Sequence, residues 1–190
     1  VALASQYGEK IYQDFHFEVT NPGGHSSRPV KENALTRLSA ALIKVGEDDF
    51  PVQLNETTRA YFTAMAPLVD AESGAAMRAL VADPADARAA AVIARNPMWN
   101  SMLRTTCVPT QAKAGHAPNA LPQRAWANVN RRMFPGTTTA QTAARLAQVI
   151  GDDKVAITPD ETALLTPPPP PLSDAVMGPL RKRGAQFWPG

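Results

Sequence analysis

The sequence holds one cysteine, Cys107, and three histidines, His16, His25 and His116. A single thiol excludes an internal disulfide and any cysteine-rich metal centre, and three scattered imidazoles leave too few ligands for a self-contained zinc site. There is no HExxH or HxxxH spacing, no GxSxG elbow, no P-loop and no GxGxxG turn. Neither sign of charge dominates. Nineteen Lys and Arg stand against 17 Asp and Glu, interspersed along 190 residues. That balance argues against a nucleic-acid or membrane-surface partner. No apolar run approaches the roughly 18 to 20 residues of a membrane span. The chain opens Val1-Ala2-Leu3-Ala4-Ser5, without Met or a basic leader, and closes on Phe187-Trp188-Pro189-Gly190. Both ends read as cuts inside a longer polypeptide, which leaves the compartment unassigned.

What is abundant is apolar material, 44% of the chain, and proline, 18 residues. Residues 11–21 alternate, with Phe15, Phe17 and Val19 on one face and Asp14, His16 and Glu18 on the other, the pattern of a half-buried strand. A turn-rich loop from Pro22 to Pro29 follows, then Leu35, Leu38, Leu42 and Val45 at helical spacing. Between 51 and 104 the chain reads as several short, Ala-rich helices. Ser73-Gly74 and Asp83-Pro84 read as breaks, with Asp83 as an N-cap, and Asn96-Pro97 as the end of the last helix. Residues 104–114 read as a strand in which Pro109 demands an edge or a bulge. Residues 124–134 alternate again, with Ala125, Ala127, Val129 and Met133 apolar and Asn128, Asn130 and Arg132 polar. Thr138 and Gln141 form a capping box for a helix over about 139–150, stopped by Gly151. Val155 and Ile157 mark a last strand, five prolines at 167–171 a polyproline spacer, and 173–183 a final helix. Without the helical insertion the order is βαββαβ. It predicts an α+β, ferredoxin-like fold: a four-stranded antiparallel sheet, two helices on one face and the polar face open.

Few residues promise chemistry. Asp14, His16 and Glu18 share a strand face but read as a solvated surface, and Ser26 and Ser27 point away from their neighbour His25. Cys107 reads as a small buried or edge side chain. Two segments stand out. In Gly23-Gly24-His25-Ser26-Ser27-Arg28-Pro29, glycines and flanking prolines present His25 at a strand end, or else form an ordinary surface turn. In the other, Asn119-Ala120-Leu121-Pro122 offers a loop amide, and Arg132 ten residues beyond Pro122 offers a fork suited to a carboxylate.

Taken together, GGHSSRP after a first strand and then GHAPNALPQRAWANVNRRMFPG resemble the lid or dimerisation domain of the dinuclear-zinc aminoacylase/carboxypeptidase family. The helical insertion before RTTCVPTQAKAGHAPNALP is most similar to the carboxypeptidase S-like branch. The resemblance covers about residues 10–162. It implies that residues 1–9 connect from a catalytic domain and that 10–162 form the lid with an insertion at about 51–104. The proline-rich 163–190 would then begin the return to the catalytic domain.

The resemblance also implies roles. His25 matches the histidine that stabilises the tetrahedral oxyanion, often across a subunit boundary. Asn119 matches the asparagine that contacts substrate, and Arg132 the arginine that holds the substrate's carboxylate. Arg131 sits where the family varies, and His116 receives no role. The family carries two zinc ions on its catalytic domain, whose ligand motifs and catalytic glutamate do not occur in this sequence. The fragment is therefore expected to be inert alone and to carry no metal. The implied partners are a second copy, through a homodimer, its own catalytic domain, and a peptide or N-acyl amino acid. The rival reading is a ferredoxin-like interaction module with only a dimerisation or regulatory role.

Overall fold

The computed structural model describes residues 8–161 and 171–187. In chain order its elements are β1 (Ile11–Thr20), β2 (Gly24–His25), α1 (Ala34–Glu47), α2 (Glu56–Met65), α3 (Ala71–Ala82), α4 (Ala87–Ala94) and α5 (Pro97–Leu103). Then follow β3 (Thr106–Ala114), β4 (Ala120–Leu121), β5 (Arg124–Met133), α6 (Thr139–Ile150), β6 (Ala156–Pro159) and α7 (Asp174–Phe187). The described residues fall into two compact units, one of residues 10–50 and 105–161, the other of 8–9, 51–104 and 171–187.

The first unit is the expected α+β fold. Four strands pair antiparallel in the order β3-β5-β1-β6. The two long central strands match over their full length, from Ile11 opposite Met133 to Thr20 opposite Arg124. Alternation sends Phe15, Phe17 and Val19 inward with Ala125, Ala127 and Val129, and they meet Leu38, Val45, Leu146 and Ile150 from α1 and α6. Phe15 and Phe17 are fully buried, each worth roughly 1.5–3 kcal/mol of hydrophobic stabilisation. Small alanines on β5 let the two helices approach the sheet closely. Helix ends follow the chemistry of their caps. Thr138 and Gln141 close a capping box on α6, as their spacing predicts, and Asn33 and Thr36 close one on α1 that the sequence reading does not include. β3 is an edge strand whose register slips between Pro109 and Gln111, so Pro109 sits both at an edge and at a bulge.

Arg131 is the exception to the sheet's division into apolar and polar faces. It points inward and is 1% exposed. Its guanidinium stacks on Phe50 at 4.3 Å, and its Nε and Nη1 have no hydrogen-bond partner. Burial lowers its pKa, partly offset by Cys107 and Asp48 nearby.

The second unit is helical and has its own core of Phe62, Met77, Leu80, Ile93 and Leu103, all fully buried. Two of the breaks expected here hold, Asp83-Pro84 between α3 and α4 and Asn96-Pro97 after α4, and one does not. Ser73-Gly74 lies inside α3, which starts after the N-cap Asp70. Gly74 is there for packing, because a Cβ would stand 2.3 Å from the Ala66 carbonyl oxygen. Asp83 ends α3, and α4 is capped by Asp86, whose carboxylate accepts from the Arg88 and Ala89 amides. Asn96-Pro97 follows the end of α4 and also opens one more helix, α5. The Asn96 side chain accepts from Met98 and Trp99, and Pro97 takes the first helical position, where its missing N–H costs nothing. The polyproline spacer at 167–171 lies outside the described residues except for Pro171.

Two glycines should respond oppositely to alanine. Gly74→Ala forces a methyl against the Ala66 carbonyl and is expected to cost about 1–3 kcal/mol of stability. Gly46→Ala, on α1 with open space around it, is expected to gain about 0.5 kcal/mol through lower unfolded-chain entropy. Urea unfolding of both variants measures the difference in sign.

Candidate functional site

The GGHSS loop and the NALP loop meet. Gly24 pairs with Leu121 and His25 with Ala120 in a small antiparallel ladder between β2 and β4. The Ser26 amide donates to the Asn119 carbonyl at 2.9 Å, and the Asn21 amide to the Gln123 carbonyl at 2.9 Å. Asn21 Oδ1 also accepts from the Ala34 amide at 2.7 Å, which ties the loop to the start of α1. Only glycine fits at the crossing. Gly23 has φ +79°, and a Cβ there would stand 2.5 Å from Gln123 Cγ. Two segments nearly a hundred residues apart thus place His25 and Asn119 side by side, both exposed.

The tautomer of His25 follows from its neighbours. Ser27 does not point away from His25 as expected: its backbone amide donates to Nδ1 at 3.2 Å, and its Oγ lies 2.8 Å from the same nitrogen. A nitrogen that accepts from an amide carries no proton, so the neutral ring holds its hydrogen on Nε2. The ring therefore presents an N–H donor outward.

Arg132 lies elsewhere. It sits opposite Tyr12 at the far end of the β1–β5 pair, whereas the His25 loop follows Thr20 and the Asn119 loop precedes Arg124. Eight residues of strand separate Arg124 from Arg132, about 27 Å at ~3.4 Å per residue. The structure thus brings together His25 and Asn119 and separates both from Arg132 of the same chain.

The open sheet face between these ends is a polar network. Asn130 and Asn128 donate to Asp14 at 2.8 and 3.2 Å, Asn128 also to Thr110 at 2.9 Å, and the Tyr12 hydroxyl to Asp14. Partial burial pushes the Asp14 carboxyl up, but Tyr12, Asn130, Asn128 and the Arg132 charge together hold it below its usual range. Further along, His16 stacks on Trp126 with centroids 5.4 Å apart and lies 3.1 Å from Glu18, which is ion-paired to Arg124. The guanidinium of Arg132 lies 5.0 Å from the Tyr12 ring centroid. Lys10 donates to Thr106 at 2.9 Å beside it, and burial, then the Arg132 charge, lowers the lysine pKa to about 8. Sequence reading treated Asp14, His16 and Glu18 as one solvated face and left out Lys10 and Tyr12. The even-numbered alternation 10, 12, 14 was the signal that joins them.

Among the described residues no group of three or more His, Cys, Asp or Glu could hold a metal ion. No helix among them is long and apolar enough to cross a membrane.

A histidine-bearing GGHSS loop laddered to an NALP loop, on a βαββαβ sheet with a helical insertion, defines a lid-type domain. The peptidase dimerisation domain family matches residues 7–158, and the chain belongs to that family. It is similar to the probable carboxypeptidase S-like 2 of Dictyostelium discoideum, 31% identical over 154 residues, which cover 78% of this chain and 28% of that protein. It is also similar to the N-fatty-acyl-amino acid synthase/hydrolase PM20D1 of Homo sapiens, 28% identical over 149 residues, 77% of this chain and 29% of that protein. The chain thus spans less than a third of the length of these relatives. Human carnosine dipeptidase 1 shares the fold, with a TM-score of 0.52 at 16% identity over 95% of this chain and 42% of that one.

Lys10 supplies a pH signature. Between about pH 8 and the ordinary lysine value of 10.5, the unfolded chain binds a proton that the folded chain has released. Stability therefore rises with pH across that window through this group. Lys10→Met is expected to flatten that slope in denaturant titrations. In the parent chain, the ε-methylene NMR shift of Lys10 is expected to titrate near pH 8.

Proposed function

We propose that this chain is the lid and dimerisation domain of a zinc-dependent carboxypeptidase or N-acyl-amino-acid amidohydrolase. Such an enzyme hydrolyses a peptide or amide bond next to a free carboxylate. Residues 10–162 form the lid in this reading, and the flanking segments join it to a catalytic domain. The zinc pair belongs to that domain, since the residues described here do not fit a metal; every role below falls on this chain alone. The observation that carries the reading is the Gly24–His25/Ala120–Leu121 ladder, with Ser27 holding His25 Nδ1.

A neutral Nε2–H on a fixed loop suits a charge that appears only as the tetrahedral intermediate forms. Loss of one such donor typically removes roughly 2.7–4 kcal/mol of transition-state stabilisation. Asn119 beside it offers a donor and an acceptor to the substrate amide. Arg132 suits the free carboxylate, charged in ground and transition states alike, and so contributes mainly to binding.

The separation of these residues supports a site shared between two copies. A dipeptide spans at most about 7 Å, far less than the length of β5. If two copies pair antiparallel through their β3 edges, Thr106 of one strand comes beside the partner's Ala114. The Arg132 end of one sheet then lines up with the His25 end of the other, three strand spacings or about 14 Å away. The long arginine and the projecting loop narrow that gap to the size of a substrate. β3 is the longer of the two edges, nine residues against four. Val108 on it and Leu35 and Ile43 on α1, which packs against it, are large apolar side chains left exposed. These features suit a second copy of the same chain.

Two measurements test this reading. In sedimentation the chain is expected to form a dimer that Val108→Lys combined with Ile43→Lys dissociates; an unchanged mass removes β3 as the interface. In the full-length protein, His25→Ala is expected to lower kcat about 10²–10³-fold. Arg132→Ala is expected mainly to raise KM for a free acid and not for its methyl ester. Mixing the two variants is expected to restore about a quarter of the wild-type sites, because half the dimers are hybrids with one intact site each. No recovery on mixing refutes the shared site, and variants without effect leave only an assembly role.

A further inference from the structure

β5 carries three arginines, and their fates differ. Arg124 is ion-paired to Glu18, so a carboxylate of the protein occupies its fork. Arg131 is buried on Phe50 and out of reach. Arg132 is exposed, makes no ion pair among the described residues, and has its guanidinium carbon over the ring of Tyr12, 5.0 Å from the centroid. A carboxylate does lie close by. Asp14 is two residues along β1 from Tyr12, on the same sheet face. Its oxygens are already engaged. Oδ2 accepts from the Tyr12 hydroxyl, and Oδ1 accepts from Asn130 at 2.8 Å and Asn128 at 3.2 Å.

We propose that Tyr12 is a positioning residue for Arg132, holding the guanidinium by its face so that its N–H edges stay free for the carboxylate of a substrate. The proposal rests on Arg132 as the carboxylate-binding residue and adds what keeps it ready. A phenol that donates to an anion becomes more electron-rich, which strengthens its pull on a cation above the ring. Asp14 thus acts on Arg132 through Tyr12 and as a distant countercharge. It does not capture the guanidinium, because its three donors occupy it. A flexible arginine must otherwise be ordered when the ligand arrives, and Tyr12 removes part of that cost beforehand. Contact with the ring through the face of the fork leaves the edge, which bidentate recognition of a carboxylate uses, so the two roles are compatible.

The test uses the full-length protein with an N-acyl amino acid as probe and its methyl ester as control. Tyr12→Leu removes the face and is expected to raise KM for the acid about 3- to 10-fold with kcat unchanged, the cost of ordering one long side chain. Tyr12→Phe keeps the ring and is expected to recover most of the affinity. The leucine effect is expected to vanish on the ester and in an Arg132→Met background. An unchanged KM in Tyr12→Leu, where Arg132→Met alone raises it, overturns the positioning role while Arg132 keeps its own. A loss of kcat, or an equal loss on the ester, also overturns it. An Arg132→Met variant without effect on the acid overturns the reading of Arg132 itself. Should Tyr12→Leu fail to fold, NMR of the 190-residue chain decides. Upfield ring-current shifts of the Arg132 δ-protons and a resolved Nε–H are expected, and random-coil values refute the stack.

Discussion

Ten consecutive residue pairs join β1 to β5, and each functional position on the sheet takes its place from that register. The pairing fixes which side chains lie inward, because strand side chains alternate with a period of two. A slip by one residue would expose Phe15 and Phe17 and drive Asp14 and Arg132 into the core. The hydrophobic cost of such a slip greatly exceeds any gain from the polar face. The apolar face therefore holds the network of Tyr12, Asp14, Asn128, Asn130 and Arg132 in line, although none of those residues contributes to the core.

The same register separates two kinds of chemistry by the length of a strand. At one end a loop crossing presents an imidazole and an amide. At the other, cationic groups gather: Arg132, and Lys10, whose proton is loosened by burial and by its neighbour. Between them Glu18 neutralises Arg124 and Asp14 is saturated by its donors. The middle of the face is thus closed on itself electrostatically. That distribution suits the proposed site completed by a second copy.

Folding of the helical unit rests on close approach of small residues. Alanines and Gly74 let α2, α3 and α4 pack around Phe62 and Met77. Of the features expected at Ser73-Gly74, Asp83-Pro84 and Asn96-Pro97, the first break is absent, the second has its N-cap at Asp86 and the third opens a further helix, all for one reason. Glycine, aspartate and proline serve helix ends and helix contacts alike, and only the neighbours decide which. Gly74 looks like a helix breaker until the Ala66 carbonyl is found against it. Asn96-Pro97 has the chemistry of a start as well as a stop.

Alternation, capping boxes and turn glycines are local, so the sequence by itself determined the four strands of the main sheet, their inward and outward faces, the βαββαβ order and the exposure of His25, Asn119 and Arg132, but not the short strands β2 and β4. Arg131 was legible on the same grounds, since its parity with Val129 and Met133 places it inward. Only the tertiary structure decided which distant segments meet. The ladder of His25 with Ala120, the distance from that ladder to Arg132 and the sharing of Asp14 among three donors all depend on pairing across about a hundred residues. So do the three different partners of the arginines on β5: Glu18, Phe50 and Tyr12. Periodicity tells a side chain which face to take, but its partner is set by register and by the long-range packing that fixes it.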